Sequence, residues 1–190
     1  QWKISREAQD AFALESHRRA AAAIENGERG EETTPVEIVE KFPNLATGQI
    51  DVTTRTMTQD EGIRADTTLE GLAKLKPVFA AKGSVTAGNP KEAIPVALKH
   101  AGLTQDKLDW IELNEAFAAQ ALAVCNDLAL DPARVNPLGG AIALGHPLGA
   151  TGAIRAATVI HGLRRRNLKY GMLTMCVGTG MGAAGIFEKV

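Results

Sequence analysis

Apolar residues recur at helical spacing near the start of the chain, between Ser5 and about residue 24. Ser5 stands in the N-cap position and Gly27 follows as a stop, so this segment predicts a helix. From about residue 28 to residue 89 the pattern changes to short strand-like pieces separated by turn residues. The strand-like pieces are residues 37–39, 50–54 and 84–86, and a short helix is predicted at residues 68–75, before Pro77. This part of the chain predicts a loop-rich α+β subdomain with little core of its own.

From residue 90 onward the pattern alternates between helical and strand periodicity. Helices are predicted at residues 95–100, 115–128 and 149–166, and strands at residues 109–113, 172–177 and 183–187. The second helix would bury Phe117, Ala118, Ala121, Leu122, Cys125 and Leu128, and the third Ile154, Ala157, Ile160 and Leu163. The alternation predicts an α/β fold with layers of helices on a sheet.

Composition narrows the class of protein. The 190 residues are 45% hydrophobic and 23% charged, with a formal net charge of -1, which is typical of a globular protein. The balanced charge argues against nucleic acid as a partner, and no apolar run approaches the ~20 residues that cross a bilayer. We expect neither membrane insertion nor a metal site.

The two cysteines fit a reducing compartment. Because the chain lacks an initiator Met and opens in helical sequence, we expect the protein to be longer.

The first turn of chemical interest joins the predicted strand at 109–113 to the following helix, where Asn114 and Glu115 form a polar pair. Asn is among the preferred N-cap residues, so Asn114 could simply cap that helix. Its amide could instead serve a reaction.

The second turn spans residues 139–152, where five glycines and Pro147 surround His146. Such a backbone makes tight turns that let another group approach closely. The amides at the start of the next helix would favour a developing negative charge. His146 could also be a hydrogen-bonded residue of a structural turn. The glycine spacing differs from that of a dinucleotide-binding G-x-G-x-x-G motif.

The third turn spans residues 175–182, where Cys176 ends a buried strand before glycines at 178, 180 and 182. A thiol beside free backbone N–H groups has the surroundings of a reactive cysteine near an oxyanion site. Inert core is the alternative for Cys176. For Cys125, on an apolar helix face, inert core is the only interpretation we make.

The sequences NEAF, GHPLGATG and CVGTGMG, in this order and at these separations, resemble the active-site loops of the thiolase family. Upstream segments at residues 4–10, 66–70, 75–79 and 85–89 resemble its CoA-binding loop domain, so the resemblance covers nearly the whole chain. It implies a thiolase-like layered α-β-α fold, incomplete here, with a partial CoA-binding loop domain at 1–89 and the C-terminal domain at 90–190.

The resemblance also implies a two-stage acyl transfer, in thiolytic cleavage of 3-ketoacyl-CoA or the reverse Claisen condensation of acetyl-CoA. A nucleophilic cysteine takes the acyl group with help from His146, and Cys176 exchanges a proton at the α-carbon. Asn114 would hold a water that stabilises the enolate oxygen together with the histidine. Gly178 would donate its N–H to the thioester oxyanion.

By the same resemblance, Arg64, Ala87 and Phe117 would contact CoA, which is a substrate, and no cofactor would be bound permanently. The partners would be acyl-CoA and CoA, in a homodimer or homotetramer. The location would be the cytoplasm, or an organelle such as the mitochondrion or peroxisome in a eukaryote.

Two departures from the family pattern stand out. The acyl-accepting cysteine would lie upstream of residue 1, and neither Cys125 nor Cys176 occupies its motif, so we expect the chain alone to be inactive. Several dozen residues that the family carries after Asn89 are absent. The alternative function is a non-catalytic thiolase-like protein that binds acyl-CoA or lipid, but a binder needs neither His146 nor Cys176. A ketoacyl synthase, a relative within the broader fold, is disfavoured because it would place a second histidine where Cys176 stands.

Overall fold

The computed structural model describes residues 2–76, 90–178 and 180–190, with the backbone alone at 90 and 91. The first helix, α1 (Arg6–Glu25), begins where the sequence predicts, because Oγ of Ser5 accepts a hydrogen bond from the amide of Ala8 at 3.1 Å. Gly27, with φ of 70°, follows its end. The predicted strand at 84–86 lies outside the described residues.

The loop-rich part contains an antiparallel hairpin and one short helix. Strands β1 (Val36–Asn44) and β2 (Gln49–Met57) pair along their whole lengths, and both are longer than the predicted pieces. Helix α2 (Leu69–Ala73) lies within the predicted helix at 68–75 and is capped by Thr68, whose Oγ1 accepts from the amide of Gly71 at 3.1 Å.

A three-stranded sheet organises the rest of the described chain. Its strands are β3 (Trp110–Leu113), β4 (Tyr170–Gly178) and β5 (Met181–Glu188), in the order β3-β4-β5. The β3–β4 pair is parallel and the β4–β5 pair is antiparallel. The helices are α3 (Pro90–Ala101), α4 (Ala118–Asp127), α5 (Ala141–Leu144) and α6 (Thr151–Arg165), and a 3-10 turn covers Gln105–Lys107.

The sheet is covered on both faces, as the alternation of its strands requires. Neighbouring residues of one strand enter different cores: Met172 packs with the side chains of α3 and α4, whereas Leu173 packs with those of α6. Ile111 and Trp110 of β3 separate in the same way. The layered α-β-α prediction is therefore confirmed.

Two predicted helix starts were wrong. The helix expected at 95–100 begins at residue 90 and contains Pro95 in its interior. Residue 90 is also a proline, and proline fits the first position of a helix, so the helix starts at the earlier of the two. The helix expected at 115–128 begins only at Ala118. Phe117 is extended and precedes the helix, and it is 40% exposed instead of joining a buried face.

The buried face of α6 also differs from the prediction. Ile154 is 40% exposed, while the neighbouring Arg155 is 1% exposed and lies 3.3 Å from the carboxylate of Glu112 on β3. A charged residue can enter the core here because Glu112, a buried residue of opposite charge on the sheet, pairs with it. Hydrophobic spacing alone assigns such a residue to the surface.

No helix in the described ranges is both long and apolar enough to cross a membrane.

Candidate active site

Asn114 lies at the end of β3 and is fully buried. Its backbone N–H donates to the carbonyl of Thr174 at 2.9 Å, a bond of the last pair between β3 and β4, Leu113 and Thr174. Helix α4 has Phe117 at its N-cap position, without a side-chain cap. The capping interpretation of Asn114 is therefore wrong, because the backbone runs three further residues before the helix begins.

His146 follows α5 and the tight turn at Gly145, whose φ of 92° favours glycine. Its Nε2 lies 3.3 Å from Nδ2 of Asn114, so the first two predicted turns meet in space. Its Nδ1 lies 2.7 Å from Oγ1 of Thr151, at the start of α6, and that hydroxyl donates to the carbonyl of Pro147 at 2.9 Å. The imidazole is thus held from both sides.

Cys176 and Gly178 lie at the end of β4, and the carboxyl ends of two parallel strands meet at the same edge of a sheet. A Cβ atom at position 152 would contact Cε of Met175 at 3.8 Å, which brings the start of α6 against the same strand end. Within the described residues Cys176 makes no hydrogen bond with Asn114 or His146. Gly178 has φ of 103° beside a register shift, so the end of β4 adopts a backbone that favours glycine.

The carboxylate of Glu115 ties three segments together beneath this edge. Ser16 of α1, Asn136 and the backbone amide of Ile142 donate to it at 2.7, 2.9 and 3.1 Å. A Cβ atom at Gly140 would overlap this carboxylate, so only glycine lets the loop pass so closely. The carboxylate therefore fixes the position of α5, which leads directly to His146.

The predicted CoA-contacting residues are spread over three places. Arg64 has an exposed side chain, and its backbone N–H donates to Nδ1 of His17 at 3.1 Å. Burial, and then the charge of Arg64, lower the pKa of His17, which favours the neutral ring that accepts this bond. Phe117 is 40% exposed beside α4. Ala87 lies outside the described residues.

The loop that carries Arg64 packs close to the glycine segment. A Cβ atom at Gly62 would lie 2.8 Å from the carbonyl oxygen of Ala143, so the two backbones are in close contact. Since Ala143 belongs to α5, this loop lies against the segment that positions His146.

Sequence reasoning missed two residues that position the site, Thr151 and Glu115. Thr151 follows His146 by five residues within the glycine-rich segment, and nothing in its spacing marks it as a partner of the ring. Glu115 carried a signal, since a carboxylate directly after a buried strand needs donors. Its partners Ser16 and Asn136 lie too far away in sequence to be recognised by pattern.

Two protein-family models match the segments of the chain that carry these motifs. The family model described as Thiolase, N-terminal domain matches residues 1–93, and that described as Thiolase, C-terminal domain matches residues 71–189. The chain is 43% identical to the peroxisomal 3-ketoacyl-CoA thiolase of Homo sapiens over 232 aligned positions, which cover 97% of this chain and 54% of that protein. The alignment has more positions than the chain has residues, so that relative contains internal residues that this chain lacks.

Solved structures agree with these matches. Human mitochondrial 3-ketoacyl-CoA thiolase in complex with CoA superposes with a TM-score of 0.86 at 37% identity, covering 99% of this chain and 56% of that one. The acetyl-CoA acetyltransferase of Bacillus anthracis superposes with a TM-score of 0.89 at 34% identity, covering 100% of this chain and 57% of that one. The chain spans about half the length of the relatives it matches. The chain belongs to the thiolase family.

Proposed function

We propose that the complete protein is an acyl-CoA C-acyltransferase, which cleaves 3-ketoacyl-CoA with CoA or condenses two acyl groups in reverse. The observation that carries this proposal is the Asn114–His146 contact, at the sheet edge where the last residues of β4 include Cys176. A base, a thiol and a buried amide at one edge suit a reaction that needs both proton transfer and enolate stabilisation. Membership of the thiolase family supports the same reaction.

In the proposed cleavage, His146 acts first as a general base. Its Nε2 takes the proton of a nucleophilic cysteine that this chain does not contain, and the thiolate attacks the 3-keto carbon. The bond between C2 and C3 then breaks, and its electron pair passes into the enolate of acetyl-CoA. CoA thiolate finally attacks the acyl-enzyme and releases the shortened acyl-CoA.

Cys176 would supply the proton that turns this enolate into acetyl-CoA, and would remove the same proton in the condensation direction. Asn114 would steady the enolate oxygen through a water. Its Oδ1 is buried and receives no hydrogen bond from a protein group in the described ranges, so it has an acceptor position left for that water. Gly178 would donate its N–H to the oxyanion at the thioester carbonyl.

CoA is the proposed second substrate, and the protein would hold no permanent cofactor. We place Arg64, Ala87 and Phe117 along the CoA path; the exposed Arg64 side chain and the close approach of its loop to α5 support that path. The division into a partial loop domain at 1–89 and a C-terminal domain at 90–190 is also a proposal, supported by the two family models.

We further propose that the protein forms a homodimer or homotetramer. Its location would be the cytoplasm, or an organelle if the source is a eukaryote. The relatives include peroxisomal and mitochondrial enzymes, which supports the organelle.

The test of this function is His146→Asn in the complete protein, assayed with a 3-ketoacyl-CoA and CoA. We expect kcat to fall by ~10²-fold or more, the usual scale for the loss of a general base, while the melting temperature stays close to that of the wild type. His161→Asn is the matched control, because His161 is a half-buried histidine on α6 whose Nδ1 lies 3.4 Å from the carboxylate of Glu31. Near-normal kcat with a lowered melting temperature would make His146 a structural turn residue and contradict the proposal.

A further inference from the structure

The buried hydroxyl of Thr151 lies directly behind the imidazole of His146. Thr151 is 1% exposed, and its Oγ1 lies 2.7 Å from Nδ1 of His146 and 2.9 Å from the carbonyl oxygen of Pro147. The same carbonyl accepts the backbone amides of Ala150 and Thr151 at 2.8 and 2.9 Å, which fixes the turn between histidine and helix.

A hydroxyl has one proton, and a carbonyl oxygen can only accept. Both contacts of Oγ1 can be hydrogen bonds at the same time only if the hydroxyl donates its proton to Pro147 and turns its lone pairs toward Nδ1 of His146. That contact is a hydrogen bond only when Nδ1 carries a proton.

The opposite side of the ring leads to the same assignment. Nδ2 of Asn114 lies 3.3 Å from Nε2, and an amide N–H2 group can only donate. Nε2 must then present its lone pair. Two contacts on opposite sides of the imidazole thus select one neutral tautomer, with the proton on Nδ1 and the basic atom facing Asn114.

We propose that Thr151 is a positioning residue that holds His146 in the Nδ1–H tautomer, so that Nε2 is the atom that takes a proton from the reacting thiol. The proposal rests on the acyl-transfer role given to His146 above. Once Nε2 is protonated it no longer accepts from Asn114, but Nδ1–H still donates to Thr151, so this one hydrogen bond keeps the orientation of the ring in both charge states. A histidine in the wrong tautomer would turn an N–H toward the thiol and could not act as its base.

The test compares Thr151→Val, Thr151→Ser and Thr158→Val in the complete protein. Valine keeps the shape of threonine without the hydroxyl, and serine keeps the hydroxyl. Thr158 is a matched control on the same helix: its buried hydroxyl donates to Glu32 at 2.8 Å and has no contact with the histidine. Histidine-selective ¹⁵N NMR identifies which ring nitrogen of His146 carries the proton, with His146→Asn used to assign the signal.

In the wild type and in Thr151→Ser we expect the proton on Nδ1. In Thr151→Val we expect a mixture of both tautomers and a fall in kcat of about 10- to 100-fold, by analogy with the loss of the hydrogen-bond partner behind a metal-ligating histidine. KM should change little, and Thr151→Ser should recover most of the activity. Thr158→Val should leave both the tautomer and kcat unchanged.

A wild-type protein with the proton on Nε2, or a Thr151→Val protein with an unchanged tautomer, would overturn the proposal. The tautomer is measured without substrate, so its outcome separates from that of the proposed function. A mixed tautomer in Thr151→Val together with full activity of His146→Asn would keep the positioning contact and remove the catalytic role. Loss of activity in His146→Asn with an unmoved tautomer in Thr151→Val would do the reverse.

Discussion

The two cysteines of the chain have different surroundings, although composition treats them alike. Cys125 lies on α4 and packs against the hydrophobic core, and burial, followed by the negative charge of Glu115, raises its thiol pKa from 9.0 to about 11. Cys176 lies at a strand end beside a glycine turn. The interpretation of Cys125 as an inert core residue agrees with its raised pKa, since the thiolate is the reactive form.

A small alkylating reagent should therefore distinguish them. At pH 8 about one Cys125 thiol in 10³ is ionised, so we expect Cys176 to be modified well before Cys125 and acetyl-CoA to protect Cys176. Because the pKa of Cys125 is raised, its labelling should increase as the pH rises toward 11. Peptide mass spectrometry after timed quenching measures both rates. Equal labelling of the two thiols at pH 8 would show that Cys125 is not shielded as the structure describes.

The residue types of the site could be predicted from sequence because each stands in a short motif. Asn114, His146 and Cys176 were all named from turns that follow or precede buried strands. Thr151 could not be found in this way, because its proposed role depends on the contact between its hydroxyl and Nδ1 of His146, which forms only when the turn between them is folded. Such a contact has no signature in hydrophobic spacing.

Among the elements, α5 is the one that sets the position of His146, and it was not predicted. It spans only four residues and is held mainly from outside, through the bond from Ile142 to the carboxylate of Glu115. Helix α1 was predicted well because its N-cap and its stop are local signals. The start of α4 and the buried face of α6 were wrong because they depend on partners distant in sequence, such as the Glu112–Arg155 pair.

Gly140 provides a test of how Glu115 holds this element. In Gly140→Ala the new methyl group would overlap the buried carboxylate, so we expect the free energy of unfolding to fall by about 1 to 3 kcal/mol, the scale of overpacking, and kcat to fall as α5 is displaced. Gly149→Ala is the matched control for stability, since a Cβ atom there meets no atom within 4 Å. Urea unfolding of both variants measures the difference. Equal stability of the two would mean that the contact between Glu115 and the glycine loop is not tight.

At the scale of the whole molecule, the sheet with helices on both faces brings the three sequence motifs to one edge. Their order along the chain already indicated the thiolase family, and the family models and related structures confirmed it. The contact between Asn114 and His146 could not be read from sequence, because it depends on how the glycine-rich loop folds back over the end of β3.

Proton transfer at this edge is the step on which the proposed carbon–carbon bond chemistry depends, and the decisive variant is Cys176→Ala in the complete protein. The two half-reactions are measured separately: condensation of acetyl-CoA, and exchange of labelled CoA into acyl-CoA, which needs only the acyl-enzyme. Cys125→Ala serves as the control, because the Cys125 side chain lies on α4 and packs against the hydrophobic core. The proton-transfer role of Cys176 predicts that Cys176→Ala slows condensation by at least ~10²-fold while exchange partly survives. Unchanged rates of both condensation and thiolysis in Cys176→Ala would contradict it.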